Sequence, residues 1–319
     1  MTERLDSLWP SSERTGPLGL AVSGGPDSLA LLLLANDALP GEIAVASVNH
    51  GLRPEAAEEV ALVEEVCRNR EIPFSGLSVK IGAGNLQAKA REARYRALTE
   101  WVRDHGIGAL ATAHHADDQA ETLLMRLSRG SGLSGLAGVR AATHLRDGGT
   151  PLLRPLLGFR KAELEDVVAA SGIEPARDPS NEDTAFDRVR VRRHLAQNDW
   201  LDVDALAMSA EHLAEAWRAI EWYAGLDWDE MVHRDGAAVF RYHVNVPRVI
   251  AIETICRIIG ELGGLATRSE AGRAYDRLWR EENASLSGVL IVPGAERIEP
   301  TGVTMRVWRF EPEPRRNIN

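Results

Sequence analysis

The sequence predicts an α/β fold in which a doubly wound parallel sheet is followed by a smaller, mainly helical C-terminal domain. In the first half of the chain, short apolar runs alternate with longer amphipathic patterns, which is typical of parallel strands joined by helices. After about residue 200 the pattern becomes mainly helical. At 319 residues the chain also exceeds the roughly 250 residues at which single cores stop growing, so two domains are expected.

The elements of the first domain are predicted as strand–helix pairs. The first strand is expected at residues 18–22, with a helix at 29–37 after it. The later pairs are predicted at 43–48 with 54–70, 77–81 with 86–104, and 109–113 with 116–128. Because each connection is long enough for a helical crossover, we expect helices on both faces of the sheet.

Beyond these pairs the composition changes. Residues 130–138 are rich in glycine and serine and are expected to form a loop, whereas 160–171 should form a helix that ends at Gly172. We divide the chain into domains of residues 1–198 and 199–319. The remaining predicted elements are a turn at 178–181, helices at 206–222 and 249–262, and strands at 289–292 and 303–310.

The bulk composition is that of an ordinary globular protein, with 44% hydrophobic and 26% charged residues. The longest apolar run, 29–35, is far shorter than the roughly 20 residues of a membrane helix, and the N-terminus has no signal-peptide pattern. Cys67 and Cys256 lie far apart within apolar helical patterns. They are expected to be buried thiols rather than a disulfide, a metal site or a redox pair. We therefore expect a cytoplasmic protein with no membrane partner.

The net charge of −10 argues against a protein that coats nucleic acid in general, but it does not exclude an enzyme that acts on RNA. Nearly all cations are arginines, with lysine only at Lys80, Lys89 and Lys161. The planar guanidinium suits bidentate phosphate contacts, although a GC-rich gene would produce the same bias.

The most informative segment follows the first predicted strand and opens the first helix, where a nucleotide site in an open parallel sheet should lie. We name it the glycine loop, and it comprises Ser23, Gly24, Gly25, Pro26, Asp27 and Ser28. Its glycines permit close backbone approach, and the amides at the helix start favour a polyanion. Asp27 would repel phosphate directly, so it is expected to help bind Mg²⁺.

An ordinary strand-to-helix turn could also contain these residue types. Of the standard nucleotide loops, a Walker A loop needs Gly-Lys-Ser/Thr after the glycines, and a dinucleotide fingerprint needs a third glycine that Gly82-Ala83-Gly84 lacks. The pattern Ser-Gly-Gly-x-Asp-Ser instead resembles the pyrophosphate-binding loop of the N-type ATP pyrophosphatases, the PP-loop superfamily. That resemblance implies a Rossmann-like fold and cleavage of ATP to AMP and pyrophosphate, with AMP transferred to a substrate oxygen.

A second polar segment, residues 112–122, follows the fourth predicted strand. It places His114 and His115 at the mouth of a helix. Asp117 and Glu121 then lie one turn apart and are predicted to share a face. The helix dipole alone would also favour acidic residues in the first turn, and the spacing is not a standard zinc pattern.

With its continuation, this segment looks like the signature of the tRNA(Ile)-lysidine synthetase family. The continuation is Arg126 followed by Arg-Gly-Ser-Gly-Leu-Ser-Gly-Leu at 129–136. Further matches are Asn49-His50-Gly51-Leu52-Arg53, Ala90-Arg91-Glu92-Ala93-Arg94-Tyr95, Arg154-Pro155-Leu156-Leu157 with Lys161 after it, and Asp178-Pro179-Ser180-Asn181 before the arginine-rich residues 188–193. The resemblance covers residues 18–195 well and the remainder more loosely.

The resemblance implies a two-step ligation with ATP and Mg²⁺. ATP adenylates O2 of the wobble cytidine of tRNA(Ile) with the anticodon CAU, and the ε-amine of free L-lysine then displaces AMP at C2. Asp117 and Glu121 are the candidates for holding and deprotonating lysine. Asp27 is assigned to catalysis and Mg²⁺ binding. Arg188 is also assigned to catalysis, because its positive charge can neutralise the phosphates. The residues assigned to ATP phosphates beside the glycine loop are His50, Arg91, Arg94 and His114.

The chain departs from the family pattern at three points. Val189 follows Arg188 where Asn is usual, and Asn49 precedes His50 where Asp or His is frequent. One C-terminal domain is expected where longer members have two, and we expect this domain, 199–319, to contact tRNA. The sequence leaves open whether the chain forms a homodimer.

Two further features have more than one interpretation. Residues 188–193 fit RNA contact and a solvated helix start about equally well. Tryptophans at helical spacing could stack on unpaired bases, but burial in a core is favoured. These tryptophans are Trp200, Trp217, Trp222 and Trp228.

Three other functions have less support. A sulfur transferase of the same superfamily needs paired cysteines or a persulfide cysteine, which Cys67 and Cys256 do not provide. A GMP or NAD synthetase has no counterpart to residues 115–122. A nucleotide sensor without catalysis would not need the intact polar residues Ser23, Asp27, Ser28, Asp117 and Asp118.

Overall fold

The computed structural model describes residues 1–51, 55–80, 86–145, 149–176, 187–299 and 302–314. The chain divides into two compact units, Met1–Ala214 and Glu215–Asn319. In the described part of the chain, no helix is both long enough and apolar enough to cross a membrane.

The first unit alternates strands and helices along the sequence. Its strands are β1 (Leu18–Ala21), β2 (Ile43–Asn49), β3 (Phe74–Ser78), β4 (Ala109–Ala111), β5 (Ala142–His144) and β6 (Pro151–Leu153). Its helices are α1 (Thr2–Leu8), α2 (Pro26–Ala38), α3 (Glu55–Arg68), α4 (Leu86–Asp104), α5 (Ala116–Leu127), α6 (Leu133–Leu136), α7 (Lys161–Ala170) and α8 (Asp187–Ala196). The division between the units falls within α9 (Val203–Met231).

The six strands form one sheet in the order β3-β2-β1-β4-β6-β5. All neighbouring pairs are parallel except β5 with β6, so the predicted doubly wound parallel sheet is confirmed and has an antiparallel edge strand. The chain runs outward from β1 to β3 and then returns to β4 on the other side of β1. Ligands of such sheets bind at the carboxyl ends of the strands where this reversal occurs.

Alternate residues of the central strands face two cores, as expected for a sheet covered on both sides. Leu20 of β1 and Val45 of β2 join one core with α2, α3 and α7. Ala44 of β2 faces the opposite core, which contains Trp101 of α4. A Cβ at Gly19 would lie 2.8 Å from the Trp101 ring, so this glycine allows α4 to pack closely on β1.

Most predicted elements of the first unit are confirmed, with bounds that shift by a few residues. β3 begins at Phe74, earlier than predicted, and the loop predicted at 130–138 contains the short helix α6. The structure adds α1, β5 and β6, which the sequence did not predict. The turn predicted at 178–181 lies outside the described residues.

The second unit combines helices with an antiparallel sheet. Its sheet has the order β7-β8-β11-β10-β9 and is built from β7 (Val232–Arg234), β8 (Phe240–Val244), β9 (Ala284–Leu286), β10 (Val289–Ile298) and β11 (Val303–Pro312). Its further helices are α10 (Arg248–Glu261) and α11 (Arg268–Trp279). The predicted helices in α9 and α10 and the two closing strands are confirmed. The sequence did not predict β7, β8, β9 or α11, so the sheet is larger than expected.

The tryptophans do not all contribute to a core, and the prediction is wrong for two of them. Trp217 is 2% exposed, and Trp228 packs against the core of the second unit. Trp222 is 68% exposed because it lies about 140° around α9 from Trp217. Trp200, in the turn before α9, is 80% exposed.

Candidate active site

The glycine loop joins β1 to α2, as predicted. Pro26 is the first residue of α2, where its fixed φ angle suits a helix start. Ser28 closes the loop: its Oγ accepts a hydrogen bond from Ser23 N at 3.1 Å and donates one to Gly25 O at 2.9 Å. The two serine hydroxyls lie 3.2 Å apart. The loop is therefore shaped before any phosphate binds.

Gly24 holds this loop against α3. Its φ is +86°, a region that favours glycine, and a Cβ there would lie 3.2 Å from the carbonyl oxygen of Glu59. The carbonyl of Gly24 also accepts a hydrogen bond from Ala176 N at 2.9 Å. A side chain at this position would therefore displace the backbone that is expected to contact phosphate.

His115 lies at the start of α5, next to the glycine loop. It is 3% exposed, and its backbone N–H donates to Asp118 Oδ2 at 3.2 Å. Three carboxylates surround its ring. Nε2 lies 3.6 Å from Asp27 Oδ2 and 3.7 Å from Asp118 Oδ2, and Nδ1 lies 3.5 Å from Asp117 Oδ2. The two segments that the sequence singled out thus meet at this histidine.

The charges in this group support one another. Burial by itself would lower the pKa of His115, but Asp117, Asp27 and Asp118 outweigh it and raise the pKa to about 10. Burial alone would raise the pKa of Asp117, whereas His115, the backbone N–H of Lys161 at 2.8 Å, and Arg160 lower it to about 2. Near neutral pH the site therefore contains a buried imidazolium beside the ionised Asp117.

The site has one oxygen that suits a magnesium ion. Asp27 Oδ1 is buried and has no hydrogen-bond partner. In the described ranges, no group of three or more His, Cys, Asp or Glu side chains is arranged to hold a metal. A Mg²⁺ ion at Asp27 would therefore share its coordination with phosphate oxygens and water, as this ion commonly does.

Glu121 anchors α8 to α5. Its side chain is fully buried, with Oε2 accepting from Arg188 Nε at 2.5 Å and Oε1 from Arg192 Nε at 2.6 Å. Arg188 also donates to Asp118 Oδ1 at 2.8 Å. Asp117 and Glu121 lie one turn apart on α5, as predicted, but they have different partners. Asp118 and Glu121, three residues apart, share Arg188, while Asp117 contacts the start of α7.

A basic group lies on the α4 side of the same sheet edge. The guanidinium carbons of Arg91 and Arg94 lie 5.0 and 5.5 Å from the ring centroid of Tyr95. Arg154, just after β6, is 7% exposed and donates to Arg140 O at 2.7 Å. His50 directly follows β2. Three of the residues predicted to bind ATP phosphates, His50, Arg91 and Arg94, therefore lie in this basic group.

His114 adjoins both groups. Its Nδ1 lies 3.1 Å from Thr112 Oγ1. Burial lowers its pKa to about 4; Asp118 opposes this effect, whereas Arg154, Arg188 and Arg91 add to it. His114 is therefore neutral near pH 7 and adjoins the acidic and the basic half of the site.

Gln119 fixes the glycine-rich segment after α5. Its amide pairs twice with the backbone of Val139, both contacts being 2.7 Å long. Arg126 donates to the carbonyls of Gly135 and Gly138. In the sequence, these residues were notable only as part of the family signature. Their role as anchors, like that of Arg192 with Glu121, depends on contacts between segments that no local pattern reveals.

The sheet order and the glycine loop at the strand reversal define an ATP-binding domain of the PP-loop class, and the family model described as a PP-loop domain matches residues 2–199. The fold is also similar to that of a U34-tRNA thiolase from Methanococcus maripaludis, with a TM-score of 0.54 at 17% identity over 67% of this chain and 77% of that one.

More specific similarity extends along almost the whole sequence. The tRNA(Ile)-lysidine synthase of Novosphingobium aromaticivorans is 45% identical over 98% of this chain and 93% of that protein. The tRNA(Ile)-lysidine synthase of Zymomonas mobilis is 38% identical over 96% of this chain and 91% of that protein. The chain belongs to the tRNA(Ile)-lysidine synthase family.

Proposed function

We propose that this protein ligates free L-lysine to C2 of the wobble cytidine of a tRNA(Ile) with the anticodon CAU, using ATP and Mg²⁺. One observation carries the proposal. The contact between Asp27 and His115 joins the ATP-binding loop to the segment most specific to the family. Similarity over nearly the full length of two tRNA(Ile)-lysidine synthases supports the same reaction.

In the first step, O2 of the cytidine attacks the α-phosphorus of ATP, and the bond from that phosphorus to the β-phosphate oxygen breaks. Pyrophosphate leaves, and AMP is joined to O2. The glycine-loop amides and the N-terminus of α2 suit the β- and γ-phosphates. Asp27 would hold Mg²⁺, which supplies positive charge beside the leaving phosphates.

In the second step, the ε-amine of lysine attacks C2, and the bond between C2 and O2 breaks. AMP leaves with O2, and the amine loses a proton. Asp117, with a pKa of about 2, is a weak base but a good partner for an ammonium group, so we assign it to binding lysine. Both oxygens of Glu121 are paired with arginines, which supports a role in positioning Arg188 rather than in accepting the proton.

The sulfur-transferase alternative finds no support in the two cysteines. Burial raises the pKa of the Cys67 thiol to about 12 and that of Cys256 to about 11. Neither is therefore a thiolate near neutral pH, as a persulfide chemistry would need. Both thiols are free, in keeping with the cytoplasmic location that we propose. The contact of the C-terminal domain with tRNA and the formation of a homodimer stay predictions.

The proposal is tested by incubating the protein with ATP, Mg²⁺, labelled lysine and a tRNA(Ile) transcript that carries the CAU anticodon. Label should enter the RNA with release of equal amounts of AMP and pyrophosphate. A methionine-specific tRNA with the same anticodon is the matched control and should remain unlabelled. Equal labelling of both RNAs, or of neither, would contradict the substrate assignment.

A further inference from the structure

The carboxyl edge of the sheet is divided by charge. On the α2 and α5 side lie the carboxylates of Asp27, Asp117 and Asp118 around His115. On the α4 side lies the basic group, which we define as His50, Arg91, Arg94, Tyr95 and Arg154. The proposed reaction uses the first side for ATP and lysine and gives the basic group no established ligand.

Two polar atoms in the basic group have no partner. His50 Nδ1 and Arg154 Nε are both buried and make no hydrogen bond. Each such atom costs free energy when it is left unsatisfied, so native proteins rarely leave several together. Arg154 is also 7% exposed, and its other contacts, to Arg140 O and Thr143 Oγ1, hold it in place. The group therefore has the properties of a binding site formed in advance.

The charges of the group indicate an anion as its ligand. Among the described residues, no carboxylate forms an ion pair with Arg91, Arg94 or Arg154, whereas Arg188 and Arg192 on the other side are both paired. Burial lowers the pKa of Arg94 and of Arg154; Tyr95 opposes this effect, and the positive charge of Arg91 adds to it. An anion would relieve this repulsion, and guanidinium groups stacked on a tyrosine ring are already oriented to bind one.

The kind of anion follows from the division of charge. The triphosphate of ATP binds with Mg²⁺ and so needs carboxylates nearby, which are present beside the glycine loop. A phosphodiester carries a single charge and needs no metal, so arginines can bind it directly. His50 follows β2 and His114 comes soon after β4, and these two strands flank β1, which leads into the glycine loop. A phosphate in the basic group would thus lie at the same edge of the sheet as the ATP site.

We propose that the basic group binds a backbone phosphate of the RNA next to the wobble cytidine, so that the base is held facing the ATP site. This inference rests on the proposed function. Under this proposal His50, Arg91 and Arg94, which the sequence analysis assigned to ATP phosphates, contact the RNA instead.

The test compares the double variant Arg91→Gln/Arg94→Gln with Arg96→Gln, which removes charge from an exposed position of the same helix. The probes are a non-hydrolysable ATP analogue and a tRNA(Ile) anticodon stem-loop, each bound to the full-length protein. The double variant should bind the stem-loop about tenfold or more weakly, with a shallower dependence of log Kd on log salt. Its Kd for the ATP analogue should stay within about twofold of the wild-type value. Arg96→Gln should change neither.

A neutral methylphosphonate placed 5′ or 3′ of the wobble cytidine identifies the phosphate. At one of the two positions it should weaken binding to the wild type but not to the double variant, because both changes remove the same contact. Weakened binding of the ATP analogue with unchanged RNA binding would overturn the inference, as would additive effects at both positions. Lysidine formation by the wild type on a full-length tRNA(Ile) transcript is measured separately. Its absence would contradict the proposed function without changing the result for the phosphate contact.

Discussion

His115 Nε2 lies 3.6 Å from Asp27 Oδ2, and this buried contact joins the loop after β1 to the helix after β4. The two strands are neighbours in the sheet, although 88 positions separate Asp27 from His115 in the sequence. Because the strand order reverses here, the two connections open onto the same edge. The glycine loop and the segment at residues 112–122 therefore form one site. ATP is expected to bind on the glycine-loop side of the His115–Asp27 contact.

Asp27→Asn should abolish pyrophosphate release while the protein remains folded. The change removes the negative charge that would bind Mg²⁺ and that neutralises the positive charge of His115. We expect the rate of tRNA-dependent pyrophosphate release to fall about 100-fold or more. Asp37→Asn, at an exposed position near the other end of α2, should leave that rate unchanged. An Asp27→Asn enzyme with normal turnover would show that the glycine loop has been misinterpreted.

Gly24→Ala should impair ATP binding more than stability. The positive φ costs an alanine roughly 1–2 kcal/mol, and its Cβ would lie 3.2 Å from Glu59 O. Gly41 also has a positive φ, +77°, but a Cβ there meets nothing within 4 Å. Gly24→Ala should therefore lose somewhat more stability in denaturant than Gly41→Ala, and only Gly24→Ala should raise the Kd for ATP. Equal ATP affinities would argue against close approach of this backbone to phosphate.

Glu121→Gln should release α8 from α5. The fully buried carboxylate pairs with two arginines that are themselves partly exposed, so we expect a loss of about 2 kcal/mol in the free energy of unfolding. Lysine transfer should also fall, since Arg188 loses its orientation. Glu165→Gln removes an exposed pair with Lys161 on α7 and should cost less than about 0.5 kcal/mol. Similar losses in both variants would contradict an anchoring role for Glu121.

The contribution of Asp227 to the stability of the second unit should decrease as the pH rises. Its Oδ2 accepts from Tyr242 Oη and Thr254 Oγ1, each at 2.7 Å, while Oδ1 is buried without a partner. Burial raises the pKa of Asp227, and Glu230 adds to this effect against the two hydroxyl donors. A raised pKa favours folding below the unfolded value of about 4, and this contribution is lost as the pH rises through the folded value.

Asp227→Asn removes this titration and offers a direct check. The free energy of unfolding of the wild type, relative to that of the variant, should decrease between pH 4 and the folded pKa. The exposed Asp229→Asn should follow the wild type across the same range. A difference between wild type and Asp227→Asn that does not change with pH would show that Asp227 titrates as an exposed aspartate does.

Local patterns predicted much of the first unit. The glycine loop and the start of α5 were found because glycine, proline and acidic residues at helix starts act through the nearest few backbone groups. β5 and β6 were missed because each has only three residues, and β5 has little buried surface. Short strands of this kind form when a neighbour offers hydrogen bonds, which a sequence pattern does not show.

Contacts between distant segments could not be predicted in the same way. Arg188 lies 67 positions from Glu121 and 70 from Asp118, so its pairing depends on where α8 docks. Helical spacing placed Asp117 and Glu121 on one face, but it could not show that Asp117 accepts from a backbone N–H of α7 while Glu121 pairs with α8. Helical spacing also could not show which side of α9 would be covered, and Trp222 proved to be exposed.

The most direct test of the proposed ligation is mass spectrometry of nucleosides from tRNA(Ile) after incubation with the enzyme, ATP and lysine. The wobble cytidine should be replaced by a nucleoside that is heavier by one lysine residue and resists mild alkali, as a C2–N bond does. All other cytidines should remain unmodified. Lysine recovered instead as an alkali-labile ester at the 3′ end, or on a cytidine outside the anticodon, would contradict the reaction proposed for this site.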